Sequence, residues 1–314
     1  TEKVAAPLPK KPVPKPEPTP VVVPITVPVV PPTPVSGGNA ALDAAAASLR
    51  ASLVNIICYA PAGGAIHSIS GSGVFIDAKG IILTNAHVAQ YFLLSDRGVS
   101  CTIRAGSPAA DSYESSLIYI SPAWISANPT VLTQTAPHGT GEYDFALLAV
   151  TKSATNAPLP AAFHFVELAK APASSGTPVV IATYGAQFLA SSQVQSGLFP
   201  TIVFGSVKNV FTFDTNTIDV LALGGSAAAQ EGSSGGGVAD ASGRLIGTIT
   251  TSTVEGSTDT RSLDAITASY IRSEYASETG QPLDLLLERD PSTSAAAFAP
   301  QMQALEKIIT ANLP

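Results

Sequence analysis

Apolar positions along the chain fall into short runs separated by turn residues, not into long helical stripes. VNIICYA (54–60), GSGVFIDA (71–78), IILTNAHV (81–88), SCTIRAG (100–106), SLIYISP (116–122) and FALLAV (145–150) each have the length and β-branched content of a strand. Lys79-Gly80 turns the second run into the third. A second series follows: TPVVIATYG (177–185), SGLFPTIVFGSVKNVF (196–211), TIDVLAL (217–223), GVADA turning at Ser242-Gly243 into RLIGTITTS (244–252), and LDAIT (263–267). No long amphipathic helix interrupts the first six strands. Two sets of about six predict an all-β protein of two six-stranded antiparallel β-barrels packed together.

Other patterns flank this body. Residues 1 to about 36 are Pro-rich, which fixes φ and removes donors, so 1–38 reads as a disordered, extended tether. Asn39 is placed to cap an Ala-rich helix, ALDAAAASLRASL. Residues 123–141 surround the only Trp with Pro, Thr, Asn and Gly and read as a long surface loop. ASYIRSEYASET has helical spacing and stops at Gly280. AFAPQMQALEKIITANL reads as an amphipathic C-terminal helix that caps a barrel or mediates oligomers. The resulting division is 1–38 linker, 39–280 main domain (barrels about 53–150 and 175–267) and 281–314 helical extension.

Composition narrows the function classes. The net charge of −7 argues against nucleic acid as a partner, because phosphate binding needs a basic patch. No run approaches about 18 uninterrupted apolar residues, so no membrane span is expected here. The chain opens on Thr1, which leaves room for a signal or anchor upstream. Cys58 and Cys101 make neither a disulfide scaffold nor a zinc site; one bridge is open to them.

Candidate chemistry centres on EGSSGGGV (231–238). Serines between glycines, directly before a strand, can form a tight turn that aims backbone N–H groups inward. Such runs are more often plain loops. Two upstream segments change the balance. His87, of four histidines, follows the apolar strand IILT, whereas His67, His138 and His164 sit in turn-like or linker-like stretches. Asp144 opens the apolar run FALLAV, where a carboxylate is costly unless paired.

Together these segments resemble the trypsin-like serine proteases, and most closely the HtrA/Deg branch. GSGVFIDAKGIILTNAHV, EYDFALLAV and EGSSGGGVADASGRLIGTITT carry the likeness, over roughly residues 53 to 280. Gly237 stands where the family usually has Pro, Ser233 where it has Asn or Asp, and no PDZ domain follows. The resemblance implies a chymotrypsin-like pair of barrels with a site in the cleft. It implies Ser234 as nucleophile, His87 as general base, Asp144 as orienting carboxylate, and the Gly232 and Ser234 N–H groups as the oxyanion hole. It also implies a specificity pocket lined by Ala228, Ile249, Thr250, Thr251 and Leu263, suited to small or medium apolar side chains. A one-residue shift would exchange Leu263 for Asp264 and select basic ones. The strands bearing Cys58 and Cys101 are neighbours in the family's first barrel, so a bridge competes with two buried thiols. Polypeptides are the implied partners; no cofactor or metal is. The expected function is an extracytoplasmic serine endopeptidase acting on unfolded or extended proteins through an acyl-enzyme. The competing expectation is a catalytically silent peptide-binding module at the cell surface.

Overall fold

The computed structural model describes residues 38–134, 139–213, 216–252 and 257–313. Residues 1–37, nearly all of the expected tether, lie outside them. The N-terminal helix α1 (Ala40–Ser52) begins where Asn39 accepts a hydrogen bond from the Ala41 N–H through its side chain.

Six strands follow: β1 (Leu53–Tyr59), β2 (Ile69–Asp77), β3 (Ile81–Thr84), β4 (Ser100–Ala105), β5 (Ala110–Ile120) and β6 (Ala146–Ser153). They close into an antiparallel barrel in the order β1-β2-β3-β6-β5-β4. A near-continuous buried apolar row, from Leu53 and Val54 through Ile81–Leu83 to Phe145–Leu148, fills it. Such burial is the main favourable term in folding. Cys58 and Cys101 face each other across β1 and β4 and are joined by a disulfide.

The second body contains β7 (Pro178–Thr183), β8 (Thr201–Ser206), β9 (Asn209–Phe211), β10 (Val220–Ala222), β11 (Gly237–Asp240), β12 (Leu245–Ser252) and β13 (Leu263–Thr267). These form a seven-stranded sheet in the order β8-β7-β11-β12-β13-β10-β9, rather than a six-stranded closed barrel. The difference lies in the run 196–211, which divides into β8 and β9 at Val207-Lys208. Val207 exchanges hydrogen bonds with the segment entering β7, while the Lys208 N–H donates to Ala222 O of β10. Two consecutive residues therefore touch opposite ends of the strand order, and the sheet must curl into a half-barrel to allow it.

Helices appear where loops were expected. Within 123–141 the chain forms α2 (Pro122–Ala127) and a 3-10 turn (Val131–Thr133), with Trp124, Ile125 and Leu132 buried. Ser121 caps the Trp124 N–H and Pro122 occupies the first turn, a normal helix start. Residues 135–138, including His138, are outside the description. After β13 come α3 (Ala268–Thr279), α4 (Leu283–Glu288) and α5 (Pro291–Thr310). Helix α5 packs on the first barrel, setting Phe298 against Tyr119 of β5 and Glu306 against Arg97. No helix among the described residues is long and apolar enough to cross a membrane.

Candidate active site

His87 lies just past the end of β3, in the single helical turn Ala86–Ala89. Asp144 lies just before β6, the neighbour of β3 in the barrel, so the sheet itself brings them together. Asp144 is held from several sides. Its Oδ1 accepts from the His87 backbone N–H at 2.9 Å, and its own carbonyl accepts from Asn85 Nδ2 at 2.9 Å. Its Oδ2 lies 2.7 Å from His87 Nδ1 and accepts from Thr250 Oγ1 at 2.7 Å. A carboxylate only accepts hydrogen bonds, so Nδ1 is the donor in this contact, and in the neutral imidazole the lone pair is on Nε2. The Asp144 side chain is 6% exposed and that of His87 19%, so the pair is shielded but the ring reaches solvent.

The turn 231–236 is fastened to β2, the neighbour of the strand β3 that leads into His87. Ser72 donates its N–H to Ser234 O at 2.7 Å and its hydroxyl to Gly232 O at 2.8 Å. Gly235 has φ +84°, and a Cβ there would lie 1.9 Å from Ser72 O, so only glycine fits against β2. Gly232 has φ +90° and packs on the backbone of Tyr184 and Ala186. The Glu231 carbonyl accepts from the Ala186 N–H at 2.8 Å. Because C=O and N–H of a trans peptide point in opposite directions, this bond turns the Gly232 N–H away from Ala186. The two serines differ in setting. Ser233 is 1% exposed with its hydroxyl 3.4 Å from Thr183 Oγ1, while Ser234 is only partly buried.

Residues 71–247 match the family model of the trypsin-like peptidase domain. The chain belongs to that family. Membership makes it a serine endopeptidase by class, and polypeptides its class of substrate. The crystal structure of the Rv3671c protease from M. tuberculosis in its active form is similar over 84% of this chain and 95% of that one, at 21% identity and a TM-score of 0.49. The crystal structure of Deg5 is similar over 77% of this chain and 96% of that one, at 16% identity and a TM-score of 0.50. At these identities the likeness to Deg5 is one of fold. A search of curated proteins finds no match.

In this trypsin-like domain the remaining sequence candidates lie as follows. Ala228, Ile249 and Leu263 are buried, with no measurable exposure at Ala228 and Leu263. Asp264 is partly exposed and engaged in a polar interaction. The Thr251 side chain is outside the description. Thr250, read from sequence as a pocket wall, has its hydroxyl on Asp144. His67 and His164 are exposed. Sequence reasoning also missed Asn85 and Ser72, although Ser72 stands inside the quoted GSG segment. A separate cavity of about 630 Å³, lined by Glu142, Tyr143, Phe213 and Tyr270 among others, approaches Asp144 only through its neighbour Tyr143.

Proposed function

We propose that the chain hydrolyses peptide bonds of unfolded or extended proteins with Ser234 as nucleophile, His87 as general base and then acid, and Asp144 as the group that orients His87. The reading rests above all on the 2.7 Å approach of His87 Nδ1 to Asp144 Oδ2, which leaves Nε2 as the basic nitrogen. Ser234 Oγ attacks the scissile carbonyl carbon while its proton passes to His87 Nε2. The negative charge that develops on the carbonyl oxygen is met by the N–H groups of Gly232 and Ser234. The C–N bond then breaks, His87 returns the proton to the departing amine, and an acyl group remains on Ser234. Water, deprotonated by His87 in turn, releases it.

Ser234 is preferred to Ser233 because the Ser233 side chain is sealed in the interior. Ala228, Ile249 and Leu263 carry no charge, which suits a preference for small or medium apolar side chains. An extracytoplasmic setting, with the Pro-rich segment as tether, agrees with the Cys58–Cys101 bridge, since disulfides persist in oxidising compartments. A fluorophosphonate probe tests the assignment. It should label wild type and Ser233→Ala at Ser234 and leave Ser234→Ala unlabelled. Turnover in Ser234→Ala should fall by about 10⁶. Labelling of Ser234→Ala at wild-type rate would overturn the reading.

A further inference from the structure

We propose that Ser72 is a positioning residue of the oxyanion hole, holding the nucleophile turn against the first barrel. The proposal rests on the reading of Ser234 and Gly232 above. Ser72 lies in the middle of β2, fully buried, and every polar group it carries is engaged. Its N–H donates to Ser234 O at 2.7 Å. Its hydroxyl donates to Gly232 O at 2.8 Å and accepts from the Tyr184 N–H at 2.9 Å. Its carbonyl accepts from Thr84 Oγ1 at 2.7 Å, so the neighbouring strand β3 fixes Ser72 in turn.

These bonds bear on a single peptide orientation. The Gly232 N–H can point in a useful direction only if the peptides on both sides of Gly232 are fixed. The preceding one is held at Glu231 O by the Ala186 N–H. The following one is held at Gly232 O by the Ser72 hydroxyl and at its other end by the Ser233 N–H, which donates to Gln230 O at 3.1 Å, so Ser72 is the only described tie from this peptide to the first barrel. Glycine at φ +90° has little intrinsic preference to keep it there. The same side chain accepts from Tyr184, two residues before Ala186, so it ties both arms of the arrangement to one atom. An alanine at 72 would strand the part-buried Gly232 carbonyl and the buried Tyr184 N–H, and a rotation of the Gly232 peptides toward other partners would relieve this.

A general loss of packing would weaken substrate binding and catalysis together, whereas loss of oxyanion alignment acts on the transition state alone. The test compares wild type, Ser72→Ala and Ser72→Cys, each confirmed folded by circular dichroism. Measured quantities are kcat and KM on a peptide substrate and the affinity of a peptide boronate, whose tetrahedral adduct carries the oxyanion. The affinity of a substrate peptide is measured separately in the Ser234→Ala background, with and without Ser72→Ala. Removing one oxyanion donor costs about 10²–10³ in kcat, so misaligning it should cost about 10- to 100-fold. We expect that loss in kcat and in boronate affinity for Ser72→Ala, a smaller one for the weakly donating Ser72→Cys, and unchanged KM and peptide affinity. Wild-type kcat and boronate affinity in Ser72→Ala would overturn the proposal, as would equal losses in peptide and boronate binding. If Ser72→Ala does not fold, the near-isosteric Ser72→Cys decides by the same criteria. A wild-type protein that neither turns over substrate nor is labelled at Ser234 would instead sink the triad reading.

Discussion

Thr250 donates its hydroxyl to Asp144 Oδ2, the same oxygen that faces His87 Nδ1, each at 2.7 Å. The second body thus reaches across to brace a carboxylate that belongs to the first. The bond follows from an irregularity in β12. Ile249 pairs with Ala265 and Thr251 with Asp264, leaving Thr250 as the extra residue of a bulge. A bulge re-aims a side chain out of strict alternation.

Replacing Thr250 by the near-isosteric Val should therefore lower kcat/KM by about 10- to 100-fold, the range of a hydrogen bond to a charged group. KM should stay close to wild type, because the lost bond orients the base and does not touch substrate. Steady-state kinetics on a folded Thr250→Val variant gives the answer, and unchanged kcat would remove Thr250 from the machinery.

The bulge also marks where sequence reading stops. Local signals sufficed for the strands of the first barrel, whose apolar runs are short and bounded by Gly, Lys-Gly or Ser. They also marked His87 and Asp144, which the structure pairs at 2.7 Å, and a glycine turn at 231–236, but the roles given to these residues came from the family resemblance and not from the local pattern. Thr250 was legible as an in-register threonine but not in its task, because period-two alternation does not foresee a bulge. Helix α2 was hidden because Pro122 was placed at the end of the strand run 116–122 and the residues after it in a loop, although a serine directly before a proline is a helix start. The split at Val207-Lys208 was hidden because both halves of the run are equally apolar and only their pairing partners differ.

The disulfide makes a separate prediction. Cys58 and Cys101 are 43 residues apart, and closing a loop of that length removes unfolded-state entropy worth about 4 kcal/mol in the chain-entropy model. A Cys58→Ala/Cys101→Ala double variant should thus be about 2–4 kcal/mol less stable in urea titration while its fluorophosphonate labelling rate, measured well below the midpoint, is unchanged. Intact mass of the non-reduced wild type should be two hydrogens below the reduced form. Two thiols that react with an alkylating agent only after denaturation, without reductant, would refute the bridge.

Alkaline pH should destabilise the fold. Burial pushes the phenols of Tyr91 and Tyr184 up to about 12. Burial, reinforced by the Glu278 carboxylate that accepts from its hydroxyl, holds Tyr119 higher still. The unfolded chain releases these protons near pH 10, about the ordinary tyrosine value, while the folded chain keeps them. A raised folded pKa contributes fully below the unfolded one and is lost as pH rises beyond it, so stability should fall steadily above about pH 10. Glu278 of α3 also accepts from Ser121 Oγ and the Ala123 N–H at the start of α2. Tyr119→Phe should accordingly shallow the alkaline loss while lowering stability at pH 7 by about 1.5–3 kcal/mol, the worth of a hydrogen bond to a charged group. Urea midpoints at pH 7 and pH 10.5 for both proteins test this; parallel pH dependences would exclude Tyr119 as a contributor.

Cleavage preference is the last prediction. The position six residues before Ser234 is Ala228, which offers no charge and has no exposed surface. Leu263 is likewise fully buried, and Ile249 nearly so. Adjacent residues of a strand face opposite sides, so the inward direction of Leu263 sends Asp264 to the other face, where it is partly exposed and already engaged. A lysine or arginine side chain entering beside Ala228 would shed its water and meet methyl groups, a cost that Ala228, Ile249 and Leu263 have no charge to offset. An alanine, valine or leucine pays no such penalty. Preference among these three should be shallow, because one methylene in an apolar pocket is worth only about 1–3 kcal/mol. Mass-spectrometric mapping of cuts in a denatured protein should show most of them after small or medium apolar residues. A majority after lysine or arginine would mean that Asp264, not Leu263, reaches the bound side chain.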